Sequence, residues 1–147
     1  MLKKLLFIVL LIAFLLPAET VSARKDILPG PIYGQVLKVL DGDTLQVRLH
    51  VWIGQDIETL VRIGGIDTPE IKGKCGFEKQ KAIKARDHLS KLLPENRVEL
   101  RNIRLEKYAG RVMADVHSPN GASVAESLLS QGLARPYQGK KRQGWCD

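Results

Sequence analysis

Leu40-Asp41-Gly42-Asp43-Thr44-Leu45-Gln46-Val47-Arg48-Leu49-His50-Val51 is the stretch whose reading decides the fold. From Thr44 onward, Leu45, Val47, Leu49 and Val51 fall on one face, and Gln46, Arg48 and His50 on the other. That period of two is the mark of a half-buried strand. Upstream, Tyr33–Leu40 is rich in β-formers, with Val36, Leu37, Val39 and Leu40. Two such runs on either side of Asp-Gly predict a hairpin. Moving outward, Gly54-Gln55-Asp56 is a second turn and Glu58–Gly64 a third strand, while Gly65–Gly76 reads as a loop. Ala82, Ala85, Leu89 and Leu92 then recur at helical spacing, which predicts a helix over Phe77–Leu93 that Pro94 stops. Arg97–Leu105 and Arg111–His117 are the fourth and fifth strands. Ser123 followed by Glu126 is a capping box that opens a short second helix, and Gly132 suits its C′ position. Arg24–Pro31 reads as an extended, mobile leader.

The order is βββ-α-ββ-α. Five short antiparallel strands, with a helix between the third and fourth, predict a mainly β (α+β) fold. It takes the form of a five-stranded barrel of the oligonucleotide/oligosaccharide-binding (OB) type.

The chain has 147 residues and a formal charge of +7. Lys3 and Lys4, the apolar run Leu5–Leu16, and Val21-Ser22-Ala23 form a charged region, a short apolar region and a small-residue cleavage site. This is the pattern of a secretory signal peptide over residues 1–23, with an uncleaved anchor as the alternative. Residues 24–147 then form a single domain, secreted or periplasmic, with no stable membrane association once the signal is removed and a monomer as the default. Such a length suits one modest core, not a multidomain enzyme. The basic balance suits an anionic partner such as nucleic acid or a membrane surface, or solubility alone, and charge does not decide among them. Cys75 and Cys146 are an even pair, which in an exported protein suggests a disulfide. A two-Cys metal site is the rival, but zinc wants four ligands. His50, His88 and His117 are scattered through strand-like and helix-like patterns and read as ordinary residues.

Four acids fall at turns and loop starts: Asp41, Asp43, Asp67 and Glu70. Arg62 and Arg111 lie on strands beside them. Each alone suits a polar turn or a surface ion pair. Together they suit phosphodiester hydrolysis. A hard divalent cation held by oxygen ligands neutralises charge building on the phosphoryl oxygens. Arginine forks bind those oxygens bidentately. A carboxylate not spent on the metal can activate water.

Three segments resemble the signatures of the staphylococcal nuclease (thermonuclease) family, in its order and at about its spacing. They are Leu40–Thr44, Val61-Arg62-Ile63-Gly64-Gly65-Ile66-Asp67-Thr68-Pro69-Glu70, and Lys107-Tyr108-Ala109-Gly110-Arg111. Gln131-Gly132-Leu133-Ala134 is similar to the family's segment after its second helix. The resemblance implies that Asp43 and Asp67 ligate Ca²⁺ through carboxylates and Thr68 through its carbonyl, with Asp41 supporting the ion indirectly. It implies Glu70 as general base or water-orienting group, and Arg62 and Arg111 as the phosphate clamp. It also implies a Ca²⁺-dependent nuclease of DNA and RNA that leaves 3′-phosphate ends, while the few aromatics of residues 24–147 and phosphate contacts from Lys and Arg predict little sequence specificity.

Ala109 is an extra residue in the third segment, placed in the turn before Arg111, and Tyr108 reads equally as a group that stacks on a base or binds a terminal phosphate, or as a turn aromatic covering the barrel edge. Past Tyr137 the resemblance is not expected to extend to the family's long C-terminal helix. Instead, Gly144-Trp145-Cys146 is expected to pin the tail, through Cys75, near the loop bearing Glu70. Two alternatives stand beside the nuclease: a non-catalytic nucleic-acid-binding OB-fold module, and a small envelope-binding protein. A binding module needs the basic residues but has no use for clustered acids, which repel phosphate unless a metal intervenes.

Overall fold

The computed structural model describes residues 26–106 and 110–146. The signal-like segment and the Tyr108–Ala109 turn therefore lie outside the described residues. In chain order the elements are β1 (Ile27–Leu28), β2 (Ile32–Asp41), β3 (Thr44–Trp52), β4 (Gln55–Ile63), β5 (Ile66–Asp67) and α1 (Gly76–Leu92). They continue with β6 (Arg97–Leu105), β7 (Arg111–His117), α2 (Val124–Ser130) and β8 (Arg135–Pro136). A single 3₁₀ turn, Pro94–Asn96, links α1 to β6.

Strands β6, β2, β3, β4 and β7 pair in that order, and β7 pairs back to β6, closing a barrel of the OB type. The β2–β3, β3–β4, β2–β6 and β6–β7 pairings are antiparallel, whereas β4–β7 is parallel. The all-antiparallel expectation fails for a topological reason. Directions cannot alternate around a closed ring with an odd number of strands, so one seam must be parallel.

The alternating strand faces supply the core. Leu45, Val47, Val61, Ile63, Leu100 and Val116 are buried in it. Val51, expected on the buried face, is exposed like its neighbours His50 and Trp52, because the far end of β3–β4 projects beyond the core. β4 begins three residues before the expected Glu58, since its turn tightens to Ile53-Gly54, with Gly54 at φ 70°. Glycine takes that left-handed backbone without a Cβ penalty.

Helix α1 buries Ala82, Ala85 and Leu89. It ends before Pro94, whose ring and missing N–H forbid continuation. At α2, the Ser123 Oγ accepts from the Glu126 N–H at 3.3 Å, and Gly132 follows the C-cap at φ 63°. Two loop readings need correction. Ile27–Leu28 is paired with Ile103–Arg104, and Ile66–Asp67 with Arg135–Pro136. Two-residue pairings carry no alternation for a sequence reading to detect. No helix among the described residues is long and apolar enough to cross a membrane.

The Asp41-Gly42-Asp43 turn is pressed between α1 and the loop after β5. A Cβ on Gly42 would stand 2.7 Å from the Ala85 Cβ and 3.0 Å from the Thr68 side chain. Gly42→Ala should therefore destabilise the protein by about 1–3 kcal/mol, as overpacking of a tight contact does, measured by urea unfolding with m unchanged.

Candidate active site

The site grows from register. β4 pairs Arg62 with Thr44 on β3 and with Met113 on β7. Leu60 pairs with Arg111, so Arg62 and Arg111 lie on the same face of adjacent strands. Asp43 sits at the β2–β3 turn, where its backbone carbonyl accepts from the Ile63 N–H at 2.8 Å. Its side chain is the junction of three elements. Oδ1 accepts from Thr44 Oγ1 at 2.9 Å, and Oδ2 accepts from the Thr68 N–H at 3.3 Å. Oδ2 also pairs with Arg62 Nη1 at 2.9 Å.

Arg62 is only 8% exposed. A buried guanidinium must find partners for its donors. Beyond Asp43, Arg62 donates to the Ile66 carbonyl at 3.2 Å and stands 3.7 Å from Asp67 Oδ1. Its guanidinium carbon lies 5.9 Å from the centre of the Tyr137 ring. Asp67 and Thr68 are also buried, Thr68 almost completely. Asp67 is fixed by the pairing of β5 with Arg135 on β8. Its Oδ1 accepts from Arg142 Nε at 2.5 Å, and its Oδ2 accepts from the Trp145 indole N–H at 3.3 Å.

Asp41 accepts the Asp43 N–H at 3.2 Å. Burial first, and the Asp43 charge second, push its carboxyl up to about 6. Glu70 is exposed at its side chain, where it forms an ion pair with Arg142. The loop beneath it is held by Glu78 of α1, which accepts the Glu70 N–H at 3.3 Å and the Lys74 N–H at 2.9 Å. Arg111 is paired with Glu106, Nη2 to Oε1 at 2.9 Å.

Asp41, Asp43, Thr68, Glu70, Arg62 and Arg111 all line one cavity of about 300 Å³. Asp67 lies behind its wall, held by Arg142 and Trp145. The structure thus gathers Asp41, Asp43, Asp67, Thr68, Glu70, Arg62 and Arg111 around one place. It also adds residues that the sequence reading missed. Glu106 and Tyr137 line the cavity, Glu78 buttresses the loop, and Arg142 arrives from the tail, whereas Trp145 stands where the expected pinning of Gly144-Trp145-Cys146 through Cys75 puts it. Cys75 and Cys146 are joined by a disulfide, which excludes the two-Cys metal site. The histidines lie apart: His50 faces Asp56, and His88 faces Ser127.

A closed OB-type barrel with acids and arginines converging at one cavity defines a class of small barrel proteins with a polar, charged cleft. Within that class the chain belongs to the staphylococcal nuclease homologue family, which residues 60–145 match. It is 28% identical over 112 residues to an uncharacterized endonuclease of Escherichia coli, covering 76% of this chain and 65% of that protein. It is 31% identical over 129 residues to a probable endonuclease LCL3 of Leptosphaeria maculans, covering 85% of this chain and 42% of that protein. The chain therefore spans less than two thirds of the length of these curated relatives.

The raised Asp41 carboxyl has a signed consequence. A folded value near 6 against an ordinary 3.8 means that the folded state holds the proton more tightly. The associated stability is full below the lower value and is lost as pH rises through the upper one. In chelator, Asp41→Asn should therefore be more stable than the parent above pH ~6, by on the order of 1 kcal/mol after allowing for solvent screening. That advantage should vanish towards pH ~4, as followed by thermal melts across the range.

Proposed function

We propose that this protein is an exported, Ca²⁺-dependent nuclease. It hydrolyses phosphodiester bonds of DNA and RNA with little sequence specificity and leaves 3′-phosphate ends. One observation carries the reading: Asp43, Thr68, Glu70, Arg62 and Arg111 converge on one cavity with Asp67 directly behind it. The family membership and the endonuclease names of the relatives agree with it.

The donor set suits the ion. Asp43, Asp67 and the Thr68 carbonyl would hold it, with Asp41 supporting from nearby. All these donors are hard oxygens, and among the described residues no His or Cys lines the cavity, a composition that favours Ca²⁺ or Mg²⁺ over zinc. When bound, such an ion neutralises charge on the phosphoryl group and polarises it.

The remaining work falls to the chain. Arg62 and Arg111 offer planar forks from adjacent strands on one face, a spacing that suits two oxygens of a single phosphate. Their pairing to Asp43 and Glu106 fixes the forks before substrate arrives. Glu70, exposed at the mouth and held by Glu78 through its backbone, accepts the proton of the attacking water at its carboxylate. Contacts to phosphate, not to base edges, account for the weak specificity.

Export is supported by the signal-like segment and by a disulfide, which persists in oxidising compartments. We place the protein in the periplasm or the medium, as a monomer.

Cleavage of denatured DNA by the purified, oxidised protein, with Ca²⁺ and with a chelator, tests the reading. Degradation should require the ion. DNA left intact with Ca²⁺, Mg²⁺ and Mn²⁺ alike would move the assignment to a binding module. Glu70→Gln should lower turnover by about 10²–10⁴ while leaving DNA affinity nearly unchanged in a filter-binding assay. Wild-type turnover in that variant would remove Glu70 from the chemistry.

A further inference from the structure

The tail brings to the site a cation that the family resemblance does not assign. Cys146 is bonded to Cys75 at the N-cap of α1, so the end of the chain is fastened beside the loop bearing Glu70. Trp145 is nearly buried. Its ring lies 3.7 Å from the Arg135 guanidinium and 4.8 Å from the Lys81 ammonium, and its N–H reaches Asp67. The Gly144 carbonyl accepts from Arg135 at 2.8 Å. These contacts fix the tail immediately before Cys146, and Arg142 projects from it.

The Arg142 fork then spans three groups. It donates to Asp67 Oδ1 at 2.5 Å and to the Thr68 carbonyl at 3.3 Å, and it pairs with Glu70. Two of these oxygens are the ligands assigned above to the divalent ion, and the third group is the assigned base. A calcium ion approaches its oxygen ligands to about 2.3–2.6 Å. A guanidinium already within hydrogen-bond distance of the same oxygens would face that ion at close range, and the two positive charges repel.

We propose that Arg142 is a tethered cation that exchanges with the divalent ion for Asp67 Oδ1 and the Thr68 carbonyl. It positions Asp67, Thr68 and Glu70 until the ion arrives, then yields those oxygens to it. Because its side chain is 40% exposed and lines the cavity beside Arg62 and Arg111, it has room to swing aside without unfolding the tail. The ion's apparent affinity is then its intrinsic affinity reduced by the fraction of molecules in which Arg142 holds the ligands.

This inference rests on the reading of Asp43, Asp67 and Thr68 as a cation site, and the test separates the two. Calcium is titrated calorimetrically into the folded, oxidised protein without nucleic acid, for the parent and for Arg142→Ala, Arg142→Gln and Arg142→Lys. Exchange predicts binding about tenfold tighter in the Ala and Gln variants, the scale of one lost charge-assisted hydrogen bond, with the Lys variant between them and the parent. A merely structural role for Arg142 predicts the opposite sign, since a loosened site binds its ion less well. Parent binding matched or weakened in the Ala and Gln variants overturns the exchange and leaves the cation site standing. Absence of binding in the parent and all variants, or undiminished binding in Asp67→Asn, overturns both.

Discussion

The buried ion pair between Asp43 and Arg62 is the constraint on which the rest of the site depends. Its partners approach to 2.9 Å with almost no solvent around them. Taking both charges out of water costs several kcal/mol per ion, and their attraction roughly repays that only with good geometry and further hydrogen bonds. Here those further bonds come from three different elements: Thr44 on β3, the Thr68 N–H beyond β5, and the Ile66 carbonyl that receives Arg62. An apolar pair of the same volume would hold the barrel as well or better. What the ionic pair adds is the fixed position of a turn, a strand and a loop relative to one another. The carboxylate that ties them together is also one that the cation reading needs.

The barrel was largely legible in the sequence, because its information is local and periodic. Leu45, Val47 and Leu49 announce their face, and Arg97–Leu105 and Arg111–His117 have the bounds that their patterns give. The parallel seam was not legible. It follows from closure of an odd ring, which no single strand records. Nor were the pairings of Ile27–Leu28 and Ile66–Asp67, too short to show a period. The site divides differently. Asp41, Asp43, Asp67, Glu70, Arg62 and Arg111 each read alone as a turn acid or a surface cation, and only their combination, and then its resemblance to a family, set them apart. Glu78 sits in a helix where a glutamate is ordinary, and its task of holding the loop amides appears only in three dimensions. Arg142 stands in a run of tail lysines and arginines, where composition suggests nothing beyond a solvated basic end.

The two features that escaped the sequence share one support. Cys75, partner of Cys146, is the N-cap of α1, and its sulfur accepts from the Glu78 N–H at 3.5 Å. One residue therefore starts the helix that carries Glu78 and anchors the tail that carries Arg142. Glu78 grips the Glu70 loop from below through backbone N–H groups, while Arg142 grips the Glu70 carboxylate from above. The loop is exposed at its tip yet bound at both faces, which suits the role proposed for Glu70, a group that would have to be in place before substrate arrives.

The same bond acts on stability by a separate route. It links residues 71 apart, enclosing α1, β6, β7, α2 and β8. In the chain-entropy account, closing a loop of that size in the unfolded state contributes about 4 kcal/mol. That contribution does not depend on where the tail lies in the folded protein. A disulfide placed anywhere with a similar loop would give it. The position at the edge of the acid cluster therefore needs another reason, and the contacts supply one. Trp145 and Arg142 touch Asp67 from both of its oxygens, while Burial lowers and Asp67 and Glu70 raise the Arg142 guanidinium to a net value above its ordinary one. A guanidinium held in that way is a permanent positive charge at any working pH. The tail thus completes the site electrically: the acids are balanced by the chain's own cation, and any ion that takes their oxygens must do so against it.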